Sequence, residues 1–135
     1  MVSHVLVPVD PSEDAKGALE FAVEEFPHAR LTVLHAINPA EQWVIPTKEK
    51  FESLAEEREE FLEELIEKAV PENRDVTTTI QRGDPREEII DFVKTHDVDC
   101  VVVGSRGTGG PEMVLLGSVA STVARRSPVT VVIVR

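Results

Sequence analysis

Residues 98–103, VDCVVV, form a nearly all-apolar run that continues into residues 104–110, GSRGTGG. An apolar run without alternation is typical of a strand buried on both faces, as in a parallel sheet. Five of the chain's seven glycines fall between Gly104 and Gly117. Glycine lets a backbone approach a ligand with no Cβ in the way, and consecutive N–H groups in such a turn can bind an anion. The segment therefore predicts a parallel sheet with a phosphate-binding loop, for which a merely flexible loop is the alternative.

Short β-branched runs alternate with longer amphipathic stretches on either side of this segment. The predicted strands are His4–Val9, Leu31–Ile37, Val76–Ile80, Val98–Val103 and Val129–Val134. The predicted helices follow Ser12 as an N-cap, run from Thr47 to Val70, follow Asp84 as an N-cap, and run from Met113 to Arg126. This alternation predicts one α/β domain over residues 1–135, with an open, Rossmann-like parallel sheet of five strands and helices on both faces. Ligands of such sheets bind beyond the carboxyl ends of the strands, where the strand order reverses.

Charge and composition argue against several classes of partner. Asp and Glu number 25 against 14 Lys and Arg, a formal net charge of −11. A duplex-binding protein needs the opposite sign over its footprint, and an anionic membrane surface would repel this chain, so neither partner is expected. Aromatic residues, at 4%, are too few for base-stacking platforms. Cys100 stands alone, and no secretory leader is evident, so a soluble cytoplasmic protein is expected.

The glycine-rich segment fits neither of two common phosphate-binding patterns. No GxxxxGK[ST] motif occurs, and the first strand ends in PVD rather than in GxGxxG. The segment instead resembles the universal stress protein family, whose ATP-binding members carry G-x2-G-x9-G-[S/T] after the fourth strand. Here that pattern is complete as Gly104, Gly107, Gly117 and Ser118. Residues 7–10 (VPVD), 34–37 (LHAI) and 83–85 (GDP) also look like the family, so the resemblance covers essentially the whole chain.

The resemblance implies an ATP site in which the adenosine lies against the first two strands. Asp10 would face the adenosine, with the backbone of Pro8 and Val9 nearby. The backbone of Ala36, where family members often have valine, would bind the adenine edge. Alanine at this position would widen the adenine pocket slightly, which bears on base choice.

The resemblance also implies which residues would contact the ribose and phosphates, with Mg²⁺ expected to accompany ATP. The backbone N–H groups around Ser118, together with its hydroxyl, would bind phosphate oxygens, whereas Pro111 would remove one N–H donor from the loop. The residues assigned to this half of the site are Gly104, Ser105, Arg106, Gly107, Gly117, Ser118 and Val119.

A homodimer follows from the same resemblance. The family's strand order, 3-2-1-4-5, would place Val129–Val134 at an edge of the sheet. An exposed apolar edge is an aggregation liability unless something covers it. Pairing of this strand with its twin across a two-fold axis would cover it.

Three functions remain open from the sequence. The favoured one is a nucleotide-dependent regulatory or stress-response protein that is not an enzyme, because no general base is evident beside the glycine pattern. The second is a slow ATPase or phosphotransferase in which Asp10 orients a metal-bound nucleophile, and the third is an interaction module without a nucleotide. No catalytic residue is assigned, and the four histidines lack metal-ligand spacing. His35 is expected in the core or on the surface, with an approach to the ligand as the alternative.

Overall fold

The computed structural model describes residues 1–11, 14–39, 47–105 and 116–135. Five strands alternate with four helices within these residues. In chain order they are β1 (His4–Pro8), α1 (Asp14–Glu25), β2 (Arg30–Ile37), α2 (Lys48–Ala69), β3 (Val76–Arg82), α3 (Pro85–Thr95), β4 (Cys100–Gly104), α4 (Ser118–Arg126) and β5 (Thr130–Val134). All five strands thus lie within two residues of their predicted bounds at either end.

The strands form one parallel sheet in the order β3-β2-β1-β4-β5, which confirms the order that the resemblance implied. Strand β1 lies at the centre, where Val5 is in register with Leu31 of β2 and with Cys100 of β4. From β1 the chain proceeds to β2 on one side, whereas from β4 it proceeds to β5 on the other side. The strand order therefore reverses between β1 and β4, and this is the place where α/β sheets bind ligands.

Alternate side chains of the central strands build a separate core on each face of the sheet. Val5 and Val7 pack on the face covered by α1 and α2, with Leu62 of α2. Leu6 packs on the opposite face with Ile89 of α3 and Val123 of α4. The predicted arrangement of helices on both faces is therefore confirmed.

The starts of α2 and α3 follow from capping residues. Thr47 caps α2 by accepting a hydrogen bond from the Lys50 N–H at 3.2 Å. Asp84 caps α3 by accepting one from the Arg86 N–H at 2.9 Å, with Pro85 at the first helical position, as predicted. The predicted cap Ser12 lies outside the described residues. Among the helices that the structure describes, none is both long and apolar enough to cross a membrane.

The start of α4 differs from the prediction. The sequence pattern favoured a helix from Met113, but Leu116 and Gly117 are not helical and α4 begins at Ser118. Residues 113–115 lie outside the described residues. Gly117 adopts an extended conformation (φ −59°, ψ 159°), and its N–H donates to the carbonyl of Ser105 rather than to a preceding helical turn. This long-range bond uses the N–H that a preceding helical turn would need, so the helix starts at Ser118.

Candidate functional site

The carboxyl ends of β1 and β4 lie side by side and carry several of the predicted site residues. Asp10 follows β1 and is exposed, whereas Val9 before it is buried. The Val9 N–H donates to the Leu34 carbonyl at 2.9 Å, so the chain stays attached to β2 for one residue beyond β1. This places the backbone of residues 8–10 at the carboxyl end of the sheet, between β1 and β4, where the strand order reverses.

The two halves of the glycine pattern are joined by a short hydrogen bond. The Gly117 N–H donates to the Ser105 carbonyl at 2.8 Å. Ser105 is itself buried, and its N–H donates to the Val134 carbonyl of β5 at 2.9 Å. The end of β4 and the start of α4 are therefore held together as one unit, on which the predicted residues Gly104, Ser105 and Gly117 all lie.

The amino terminus of α4 offers backbone N–H donors at this carboxyl end of the sheet. The Ser121 N–H bonds to the Gly117 carbonyl at 2.9 Å. The N–H groups of Ser118, Val119 and Ala120 precede that first helical bond, so they have no acceptor within the helix. The N-cap makes no side-chain hydrogen bond and the first turn carries no acidic residue. Such a helix end attracts an anion through its N–H groups and its dipole.

Ala36 lies near the carboxyl end of β2, at the same end of the sheet. Its side chain is half-buried and packs on the face shared with α3 and α4. The predicted residues Arg106 and Gly107, and Pro111 with them, lie outside the described residues. The described part of the site thus consists of three backbone segments, 8–10, 104–105 and 117–119, together with Ala36.

His35 contributes a contact that sequence reasoning did not find. Its side chain is 3% exposed, so of the two expected positions, core or surface, it occupies the core, and its Nδ1 lies 2.8 Å from the Val9 carbonyl oxygen. Its Nε2 lies 3.5 Å from Nη1 of Arg58, and its ring meets Phe61 edge-on. Burial, which is the largest cause, lowers the pKa of His35 from its usual value of 6.5. The available signal was its spacing from Leu31 and Val33, which share its face of β2.

The described residues of the site include few side chains that could bind a metal ion. Within residues 1–11, 14–39, 47–105 and 116–135, no group of three or more His, Cys, Asp or Glu side chains could hold a metal ion. Asp10 is the one carboxylate among the predicted site residues. Mg²⁺ commonly binds one or two carboxylates together with the phosphates of its substrate. The residues present therefore fit a metal ion held mainly by phosphates.

The chain is similar to known proteins over its whole length. A model described as the universal stress protein family matches residues 1–135. The universal stress protein YxiE of Bacillus subtilis is 31% identical over 148 residues, covering 100% of both chains. The solved structure of the universal stress protein UspA from Lactobacillus plantarum is 28% identical and superimposes with a TM-score of 0.79, covering 99% of this chain and 98% of that one.

Some structures of the same fold contain adenine nucleotides. A universal stress protein solved in complex with cAMP is 25% identical, with a TM-score of 0.69 and coverage of 99% of this chain and 97% of that one. A protein from Archaeoglobus fulgidus was solved with dAMP, and one from Arabidopsis thaliana with AMP. At 23% and 20% identity these two proteins are similar to this chain in fold alone.

Proposed function

Since the chain belongs to the universal stress protein family, we propose that it binds an adenine nucleotide, ATP with Mg²⁺ in particular, and acts as a nucleotide-dependent regulatory protein in the cytoplasm. The nucleotide would lie at the reversal of strand order, with its adenine beside Ala36 and its adenosine beside Asp10. Its phosphates would lie against the start of α4. Arg106 and Gly107 belong to the proposal on the family's pattern alone.

The observation that carries the proposal is the bond between Gly117 and Ser105. It holds the N–H groups of Ser118 and Val119, which have no acceptor within the helix, next to the end of β4 before any ligand arrives. Preorganised donors avoid the cost of ordering a loop when the ligand binds. The exposed Ser118 hydroxyl adds a further donor at the same place. A polyphosphate is the ligand that such a set of donors fits.

The net charge of −11 does not exclude a polyanionic ligand. Nine glutamates lie exposed along α2, which covers the face opposite to α4. Charges separated by more than about 8 Å are largely screened at physiological ionic strength. Hydrogen bonds to a charged acceptor contribute about 1.5–3 kcal/mol each, so a few N–H donors offset the residual repulsion. Mg²⁺ bound to the phosphates would reduce it further.

A regulatory role is favoured over an enzymatic one because the described residues of the site offer donors for binding rather than an assembled proton acceptor. Nδ1 of His35 is held by the Val9 carbonyl, and Nε2 faces the Arg58 guanidinium. Asp10 remains the candidate for orienting a metal-bound nucleophile, which would make the protein a slow ATPase or phosphotransferase. We therefore expect any ATP hydrolysis to be slow, and a difference in partner affinity between the loaded and empty states to be the functional output.

Calorimetric titration with ATP, AMP and cAMP, each with and without Mg²⁺, tests the nucleotide proposal. The wild-type chain should bind at least one of them, with Mg-ATP the tightest. Ser118→Ala should weaken ATP binding about tenfold, the equivalent of about 1.4 kcal/mol. Ser121→Ala, one turn further along α4, is the matched control and should leave the affinity unchanged. A wild-type chain that binds none of the three would refute the proposal.

A hydrolysis assay separates the regulatory role from the enzymatic alternative. The regulatory role predicts turnover close to the uncatalysed background in the protein alone. Turnover well above background that disappears in Asp10→Ala would instead establish an enzyme. Asp75→Ala serves as the control, because Asp75 is exposed and precedes β3 at the amino ends of the strands, away from the candidate site.

A homodimer paired through β5 is the second part of the proposal. Strand β5 lies at the edge of the sheet, and Val131, Val132, Ile133 and Val134 are only half-buried. An apolar edge strand of this kind is a template for pairing with another chain. Edge-to-edge pairing of two copies across a two-fold axis would cover both edges and extend the sheet.

A further inference from the structure

The side chain of His35 connects the end of β1 to helix α2, and its two ring nitrogens have different partners. Nδ1 lies 2.8 Å from the Val9 carbonyl oxygen, which only accepts hydrogen bonds. Nε2 lies 3.5 Å from Nη1 of Arg58, and a guanidinium only donates. Both partners therefore require the same neutral tautomer, with the proton on Nδ1 and the lone pair on Nε2. In that form Nδ1–H donates to Val9 and Nε2 faces the donor.

Both backbone groups of Val9 are thereby bonded to β2. Its N–H donates to the Leu34 carbonyl at 2.9 Å, and its carbonyl accepts from His35 at 2.8 Å. Strand β1 ends at Pro8, so these two bonds hold the chain beyond the last residue of the strand. The next residue is Asp10, which is exposed at the carboxyl end of the sheet, where the nucleotide would bind. The conformation at Val9 sets the direction in which the chain leaves the sheet and hence the position of Asp10.

We propose that His35 is a positioning residue for the nucleotide site, and that its Nδ1–H bond to the Val9 carbonyl holds residues 9–10 in the conformation that the adenosine requires. This inference rests on the proposed function. His35 would not touch the nucleotide, because it lies beneath α2 on the same face as Leu31 and Val33. It acts through the backbone of Val9.

Water cannot readily replace this bond. The His35 side chain is 3% exposed, and Phe61 meets its ring edge-on at 6.1 Å between centroids. A buried carbonyl that loses its hydrogen-bond partner stays desolvated without a compensating bond, which destabilises the folded conformation. The charged groups that act on His35 are Arg58 from α2 and Asp10 from the end of β1. Burial lowers the pKa of His35, which keeps the ring neutral and its Nδ1 proton in place near pH 7.

Three substitutions of His35 separate the Val9 bond from the rest of the side chain. His35→Asn places an amide N–H close to the Nδ1 position, so it can still donate to Val9, but it loses the Nε2 acceptor for Arg58. His35→Leu loses both contacts. His35→Gln places its amide near the Nε2 position, so it keeps a partner for Arg58 and loses the Val9 bond. His4→Leu is the matched control. His4 is equally buried, but it hydrogen-bonds Thr32 at the amino ends of the strands, away from the candidate site.

The first readout is the affinity for Mg-ATP by calorimetry. His35→Leu and His35→Gln should each bind about tenfold or more weakly than wild type, whereas His35→Asn should remain within about threefold. The second readout, which needs no nucleotide, is amide hydrogen exchange. The Val9 amide should exchange about tenfold or more faster in His35→Leu and His35→Gln relative to the Val5 amide, and at nearly the wild-type rate in His35→Asn. His4→Leu should lower thermal stability and change neither readout.

The outcomes distinguish this inference from the function on which it rests. If wild type binds nucleotide and His35→Gln binds it equally well, the inference is overturned and the proposed function stands. If His35→Asn is as weak as His35→Gln, the Val9 bond is not the cause and the inference is again overturned. A wild-type chain without affinity for any adenine nucleotide overturns both. If His35→Leu does not fold, the comparison of His35→Asn with His35→Gln decides the question alone.

Discussion

His4 and Thr32, buried on neighbouring strands, share a 2.8 Å hydrogen bond at the amino ends of the sheet, opposite to the candidate nucleotide site. The other ring nitrogen of His4 lies 3.1 Å from the His96 carbonyl oxygen and 3.1 Å from Nη2 of Arg30. Burial first, and then the positive charge of Arg30, lower the pKa of His4 from its usual value of 6.5. Since the pKa of His35 is lowered as well, both buried histidines favour the neutral form in the folded chain.

These two histidines predict that the free energy of unfolding falls as the pH is lowered through the neutral range. Their folded-state pKa values lie below the unfolded value of 6.5, so the unfolded chain binds more protons once the pH drops below it. The stabilisation is complete above pH 6.5 and is lost as the pH falls towards the folded-state values. Urea unfolding at several pH values between about 8 and 5 measures this decrease.

The carboxylates act in a separate pH window. Hydrogen bonds from Ser3 and from the His4 N–H lower the pKa of Asp99 from 3.8, so its contribution is lost only as the pH falls below that value. The decrease in the neutral range should therefore become shallower in His4→Gln. Asp99→Asn removes a charge that raises the pKa of His4, so it should not make that decrease shallower. A free energy of unfolding that rises between pH 7 and pH 6 would contradict the assignment.

Gly117→Pro tests the bond between α4 and β4. The φ of Gly117, −59°, is one that proline adopts without strain, so the substitution mainly removes the N–H. It leaves the Ser105 carbonyl without its 2.8 Å donor and brings the proline ring against it. We expect a loss of about 1–3 kcal/mol in the free energy of unfolding, together with weaker ATP binding.

Gly117→Ala is the control for that substitution. It keeps the N–H, and its free energy of unfolding should stay within about 1 kcal/mol of wild type. Urea unfolding and calorimetry on the two variants measure both effects. Equal stability and equal ATP affinity in Gly117→Pro and Gly117→Ala would show that the bond to Ser105 has no role.

The sequence predicted what depends on local pattern and missed what depends on contacts between distant elements. The Asp84 cap and the strands were predictable because capping and apolar runs are local features, and the strand order came with the family resemblance. The start of α4 was not, because it is set by a bond from Gly117 to Ser105 across the glycine-rich segment. The partners of His35, Val9 and Arg58, lie 26 and 23 residues away in the chain. No spacing within β2 encodes either partner.

Arg74 is a second long-range contact of this kind, and it predicts a large effect on stability. Its guanidinium donates to the carbonyls of Val23 at 3.2 Å, Phe26 at 2.5 Å and Ala29 at 2.7 Å, which follow one another from the last turn of α1 towards β2. Because the donor is charged, Arg74→Ala should lower the free energy of unfolding by about 2–3 kcal/mol.

Arg74→Lys should recover only part of that loss, since an ammonium group cannot match the fork of a guanidinium. Chemical denaturation of the two variants gives the comparison. ATP affinity should be unchanged in both, because β2 begins at Arg30, next to this contact, and the candidate site lies at the other end of the strand. A lysine variant as stable as wild type would show that charge alone suffices there.

The proposed dimer can be tested at a single backbone group of β5. The Val134 carbonyl accepts from the Ser105 N–H, so the backbone groups of Val134 and Val132 face β4. Those of Val131 and Ile133 consequently face the outer edge, since backbone groups alternate in direction along a strand. A proline can occupy an edge position whose N–H points away from the sheet.

Ile133→Pro should therefore abolish pairing between two copies while leaving the β4–β5 pairing in place. It removes a donor from the outer edge that a second chain would need, whereas Ile133→Val keeps both the donor and a β-branched side chain. Light scattering after size-exclusion chromatography at micromolar concentration should give a dimer for wild type and Ile133→Val and a monomer for Ile133→Pro. Calorimetry should find ATP binding retained in all three, because none of the predicted site residues lies on β5. A monomeric wild type would contradict the dimer itself, and a dimeric Ile133→Pro would move the interface away from β5.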